Sequence, residues 1–263
     1  MRQKFMLWCT ARCMSNIFLR SFEARPDFAC RSAPYGIAKF VGDDRSGVLV
    51  KYFDYQEGFK YIDVKNSMIE FEEKYLTKNI LLKDHYYNFI GAPHPLEEVI
   101  PKGYTHGILF RDPVNTFISL RNLFLKINFE ITLENIAEFV NYEKLYQTYE
   151  EIIEKGIDPN PVIINTSLLA DKPEQYLREI CRIWELEYLP EMMDFPNATT
   201  CLTDYPAGDV VNWRTAAIES TTWRKETEHC ESDLLSYPVE IQEYIHYQEL
   251  YYEKLNKLCL RLE

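Results

Sequence analysis

Long apolar runs are missing from this 263-residue chain. The N-terminal stretch FMLWC follows Arg2 and Lys4, but the run breaks at Arg12 and is too short for the apolar segment of a secretory leader. Nothing approaches the roughly 20 apolar residues of a membrane span. Glycine is scarce, at 9 residues, and none stands in a GxxxxGK(S/T) pattern, which argues against a Walker nucleotide loop. The 7 cysteines form no CxxC pair and fit no zinc spacing; with an odd count they read as reduced thiols in a cytoplasmic protein. Five scattered histidines offer no metal constellation. A basic excess is lacking too: the formal net charge is -12 and the pI is near 5.0. A nucleic-acid backbone wants a basic stripe, so nucleic acid is not an expected partner. Any anionic ligand must be held by local cations and backbone N–H groups against the global field. That field suits a neutral or cationic second substrate.

What is present is enough hydrophobic sequence, 46%, for one sizeable core, with no Gly/Ser/Pro-rich linker, repeat or low-complexity tract to divide it. Apolar runs at Phe5–Cys9, 79–83, 104–110 and 161–165 read as buried strands. Helical patterns follow them: one with Ser15 as N-cap and Pro26 near its end, one over 66–78, one starting at Pro113, a long one over 132–155, one over 172–184, and a C-terminal one over 239–260. Residues 28–65 are poorly patterned, and GVLVKYFDY is left as strand or helix; residues 195–235 read as irregular. Strands alternating with helices predict an α/β fold: a single domain with a central parallel sheet flanked by helices.

Three motifs lie at predicted strand ends, where ligands of such sheets bind. TARCMSN, after the first strand, aims backbone N–H groups and a helix N-terminus at one point, with Arg12 adding full charge. The bland alternative is an ordinary loop with a surface arginine. RDPVNTFIS places Arg111 at a strand end and Ser119 two turns along the next helix, so both can face one anion; an Arg111–carboxylate pair is the alternative. In KDH, Lys83 and His85 share one side of an extended segment, where a lysine can stabilise a leaving oxyanion and an imidazole can take a proton. A packed boundary histidine beside Tyr86 and Tyr87 is the competing reading. Trp213-Arg214 and Trp223-Arg224 are candidates for stacking on a ligand, which packing alone explains as well.

Taken together, the order and setting of the motifs resemble the sulfotransferase family, which uses 3′-phosphoadenosine 5′-phosphosulfate (PAPS) on a P-loop-like fold. The resemblance covers roughly residues 4–25, 79–125 and 161–193. It implies that Arg12, Cys13, Met14, Ser15 and Asn16 form the 5′-phosphosulfate loop, with Cys13 and Met14 standing where Ser/Thr and Gly are usual. Lys83-Asp84-His85 takes the place of the family's catalytic Lys-x-His, and Arg111 with Ser119 reproduces its 3′-phosphate unit in identity and spacing. The family's Arg-Lys-Gly is absent; Arg224-Lys225 after Trp223 is the nearest substitute for covering the 3′-phosphate. Residues 28–65 and 195–235 are then the acceptor side.

The expected activity is sulfuryl transfer to a hydroxyl or amine of a small molecule, for which the acidic balance favours a cationic natural product. His85 is the expected base, Lys83 and Arg12 the charge-neutralising groups, and no metal is required. Two alternatives are an ATP- and magnesium-dependent small-molecule kinase, and a non-catalytic relative that binds a nucleotide or a partner.

Overall fold

Five parallel strands and the helices between them make up the computed structural model, which describes residues 2–195, 199–202, 211–223 and 231–262. The strands are β1 (Lys4–Cys9), β2 (Phe28–Ser32), β3 (Asn79–His85), β4 (Thr105–Phe110) and β5 (Val162–Asn165), in the order β2-β3-β1-β4-β5. The helices are α1 (Ser15–Glu23), α2 (Gly36–Phe40), α3 (Tyr61–Lys74), α4 (Leu96–Val99), α5 (Pro113–Lys126), α6 (Leu133–Phe139), α7 (Tyr142–Glu154), α8 (Thr166–Asp171), α9 (Pro173–Ile183), α10 (Val211–Ile218), α11 (Glu231–Leu234) and α12 (Val239–Leu258). None among the described residues is long and apolar enough to cross a membrane. The described cysteines are free thiols.

The near-continuous apolar strands follow from burial on both faces. Along β1 the side chains alternate. Phe5, Leu7 and Cys9 pack with Phe18, Phe22, Leu177 and Trp184 of α1, α9 and the residue that closes α9. Met6 and Trp8 pack on the other face with Met68, Phe117, Leu145 and Ile245 of α3, α5, α7 and α12. The helix after β1 therefore covers one face and the helix after β4 the other. Since β1 and β4 are hydrogen-bonded neighbours, the chain parts between them and opens a crevice at their C-terminal ends.

The structure departs from the sequence reading at several elements. Ser15 is the first residue of α1 and not its cap: Met14 holds the N-cap position, with no capping side-chain bond. Within the stretch read as irregular, Val211–Ile218 and Glu231–Leu234 are helices. Phe28–Ser32, within the stretch left open, is a fifth strand at the sheet edge. The first helical pattern beyond it begins at Tyr61 rather than 66, and Val48–Tyr52 is a 3₁₀ turn. The long helix over 132–155 is two helices, because Asn141 turns its side chain to accept from the Lys144 N–H at 2.9 Å and starts α7 afresh. β3 runs two residues further than the apolar pattern, through His85. Pro113 does open a helix, with Asp112 as its cap accepting from the Asn115 N–H at 2.9 Å.

His106 of β4 is buried, and its Nδ1 accepts from the Trp8 indole N–H at 2.9 Å. Burial holds this imidazole neutral, its pKa pushed down to about 4. An unfolded histidine titrates near 6.5, so between about 6.5 and about 4 the unfolded chain binds more protons and stability falls as pH falls. The loss from this one group reaches about 3 kcal/mol by pH 4. His106→Asn keeps an acceptor for Trp8 and cannot be protonated. Urea unfolding at pH 7 and near pH 4 should show wild type losing about 3 kcal/mol more than this variant; equal losses would refute the assignment.

Candidate anion-binding and catalytic site

The loop after β1 is closed by its own backbone and by β4: the Thr10 N–H donates to the Leu109 carbonyl at 3.1 Å, and the Cys13 thiol to the Thr10 carbonyl at 3.1 Å and the Leu109 carbonyl at 3.5 Å. The Cys13 side chain is thus turned into the protein, leaving its backbone to face the crevice. Arg12 and Met14 both lie in the left-handed region, at φ 56°. Met14 stands where the family pattern has glycine, and it holds the conformation for which glycine is favoured, at a steric cost of roughly 1–2 kcal/mol. Strain of this kind persists where the surroundings over-determine it. Ser15 is buried and Asn16 half-buried in the first turn of α1.

This loop ties the other two motifs together. Arg12 Nε donates to Ser119 Oγ at 3.2 Å, joining it to α5. Asn16 Oδ1 accepts from Lys83 Nζ at 3.2 Å, joining it to β3. Arg111, 5% exposed at the end of β4, lies close enough to act on Arg12. Burial first, and then the charge of Arg111, lowers the Arg12 pKa. Lys83 Nζ stands 2.9 Å from His85 Nε2. The pair arises from the strand itself: residues two apart share a face, and β3 holds both. Burial, then Lys83 and Arg214, pushes the His85 pKa well below its ordinary value. A neutral imidazole that accepts from an ammonium at Nε2 carries its proton on Nδ1. The ring also stacks on Tyr87, centroids 4.7 Å apart.

Asp84 faces the opposite way. It is fully buried and accepts from the N–H groups of Tyr35 at 2.8 Å and His85 at 2.7 Å and from the Asn88 amide. Burial raises its pKa to about 6. Between the two candidate groups in sequence, it anchors the turn that follows them, a role its acidity alone did not reveal.

Arg214 was singled out in the sequence only as a stacking candidate. It is buried, donates to the Leu202 carbonyl at 2.9 Å, and lowers the pKa of both Lys83 and His85. α1 fastens the segment that carries it. Arg20 donates to the carbonyls of Ala217 at 2.6 Å and Ile218 at 3.0 Å, and also to that of Ser220. Glu23 accepts from the N–H groups of Thr200 at 2.8 Å and Cys201 at 2.9 Å. Trp223 is buried against α1, its indole N–H donated to Ser21 Oγ at 2.8 Å. Arg224 and Lys225 lie outside the described residues.

Four cations, Arg12, Lys83, Arg111 and Arg214, thus crowd one crevice of a protein whose net charge is -12. Among the described residues, no three or more His, Cys, Asp or Glu side chains gather to hold a metal ion.

No protein-family model matches the sequence, and no curated protein matches it. Solved structures do match the fold. The sulfotransferase domain from the curacin biosynthetic pathway aligns with a TM-score of 0.52 at 14% identity, over 95% of this chain and 99% of that one. The sulfotransferase from Alicyclobacillus acidocaldarius aligns with a TM-score of 0.52 at 13% identity, over 94% of this chain and 96% of that one. Both likenesses span the whole sheet and its helices, so the chain has the fold of the sulfotransferases.

Proposed function

We propose that the chain transfers the sulfuryl group of PAPS to a hydroxyl or amine of a small-molecule acceptor and releases 3′,5′-adenosine bisphosphate. One observation carries the reading: the loop of residues 10–16 is bonded through Asn16 to the Lys83–His85 pair and through Arg12 to Ser119, beside Arg111. A ligand with anionic groups at two ends of one nucleoside matches cations at two ends of one crevice.

The 5′-phosphosulfate lies against Arg12, Lys83, Arg214 and the backbone N–H groups of residues 13–16, where the N-terminus of α1 adds positive potential. The 3′-phosphate takes Arg111 and Ser119. The acceptor oxygen or nitrogen attacks sulfur in line, and the bond from sulfur to the bridging oxygen breaks. The acceptor proton passes to His85 Nε2. Lys83, bonded to that same nitrogen, turns to the leaving phosphate as charge develops there and frees the imidazole lone pair. The bound anion also offsets the fields of Lys83 and Arg214 and so brings the His85 pKa back up. Positioning and electrostatics do the rest. The described parts of segments 28–65 and 195–235 frame the acceptor, and free thiols fit a cytoplasmic setting.

Thermal unfolding with 3′,5′-adenosine bisphosphate, beside ATP, ADP and 5′-AMP without added metal and ATP with magnesium, tests the reading. At about 100 times its dissociation constant, the bisphosphate should stabilise the fold by roughly 2.7 kcal/mol, a shift of several degrees for a chain of this size. A response to ATP with magnesium instead transfers the site to the kinase reading. No response to any nucleotide makes the chain a non-catalytic relative.

A further inference from the structure

The break between α6 and α7 reaches all three motifs of the crevice. Asn141 caps α7, and the Tyr142 and Glu143 N–H groups behind it donate to Gln248 Oε1 at 2.7 and 3.1 Å, so α12 fixes the first turn of α7. Tyr142 and Gln248 are both buried. On one side the Asn141 N–H donates at 2.6 Å to the hydroxyl of Tyr86, the residue after His85. Tyr86 in turn donates to the Phe139 carbonyl at 2.8 Å. On the other side the Tyr142 hydroxyl donates to the Arg111 carbonyl. A phenol has one proton, so with that proton given to Arg111 the Tyr142 oxygen accepts from Thr116 Oγ1 at 2.9 Å. Thr116 is buried and lies one turn before Ser119 on α5. Thr10, which opens the anion loop, is near enough to act on the same phenol.

One phenol thus ties the end of β4 to the first turn of α5 beside the loop after β1, and the residue before it ties in the turn after β3. It touches no part of the anion sites itself. What it fixes is the backbone from which Arg111 and Ser119 project, relative to the loop that carries Arg12. We propose that Tyr142 is a positioning residue: it sets the separation of the two anion subsites, and with it the preference for a 3′,5′- over a 2′,5′-bisphosphate nucleotide. The inference rests on the cofactor reading given above. The two isomers carry the same base and the same charges and differ only in where the second phosphate leaves the ribose. A rigid pair of subsites tells them apart and a slack pair does not, because selective sites are held to within about 0.5 Å by their supporting hydrogen bonds.

Calorimetric titration of 3′,5′-adenosine bisphosphate, 2′,5′-adenosine bisphosphate and 5′-AMP into the full chain tests it. The wild type should prefer the 3′,5′ isomer by about tenfold or more, the worth of one charge-assisted hydrogen bond well placed. Tyr142→Phe keeps the ring and removes the hydroxyl. It should weaken the 3′,5′ isomer until the two lie within about threefold of each other, and leave 5′-AMP affinity unchanged. Thr116→Val deletes the other hydroxyl at nearly constant volume; it should move the ratio the same way and carries the test where Tyr142→Phe does not fold. Tyr104→Phe is the control for loss of a buried phenol. Its hydroxyl donates to Glu72 at 2.7 Å at the opposite end of the sheet, so this variant should melt lower and keep the wild-type ratio. A wild type that binds both isomers alike, a ratio unchanged in Tyr142→Phe, an equal loss for all three nucleotides, or the same fall in the ratio with Tyr104→Phe overturns the positioning role alone. A wild type that binds neither bisphosphate overturns the cofactor reading and this role with it.

Discussion

Replacing His85 by alanine is expected to lower kcat for sulfuryl transfer by about 10²–10⁴-fold, the usual worth of a general base, with affinity for 3′,5′-adenosine bisphosphate unchanged. The imidazole is placed for proton transfer and not for gripping phosphate: it sits at the last position of β3, stacked on Tyr87, with Nε2 against Lys83. A second readout separates a base from a packing residue. In the protein without ligand, burial, Lys83 and Arg214 hold His85 well below the ordinary histidine pKa. An anion bound among those cations raises it. A base works only when deprotonated, so activity falls as pH drops through its pKa. The acidic limb of kcat, which reports the complex, should lie at higher pH than that of kcat/KM for PAPS, which reports the free protein. Unchanged turnover in His85→Ala, or coincident limbs, removes His85 from the role of base.

Arg111→Met is expected to act on binding instead. A phosphate held by a guanidinium through charge-assisted bonds loses about 1.5–3 kcal/mol with the cation, roughly 10- to 100-fold in affinity. The loss should fall on 3′,5′-adenosine bisphosphate and spare 5′-AMP, which lacks the 3′-phosphate. Calorimetric titration of both ligands into both proteins makes the comparison. The Arg111 carbonyl, which accepts from the Tyr142 hydroxyl, is untouched by the change. An equal loss for both nucleotides would place Arg111 elsewhere than at the 3′-phosphate.

Much of what depends on neighbours along the chain was legible in the sequence. The apolar runs become β1, β3, β4 and β5 because strands buried on both faces have to be apolar throughout. Asp112 and Pro113 start α5 for reasons contained in the residues themselves, a cap and a fixed φ. Lys83 and His85 share a face because strand side chains repeat every two residues. The edge strand β2 escaped, since FACRS at the sheet margin mixes small, polar and charged residues and shows no alternation. The break at Asn141 escaped as well, because the apolar pattern runs on across it and the capping hydrogen bond interrupts only the backbone.

Tertiary structure decided what meets what. Arg214 acts on Lys83 and His85 because α1, which begins where the anion loop ends, clasps the far segments through Arg20 and Glu23. Lys39 and Glu138 form a pair across segments that carry no motif. Periodicity and capping are local forces and leave their mark in adjacent residues. The packing of helices on the two faces of a sheet brings distant side chains together, and no spacing in the sequence records that encounter.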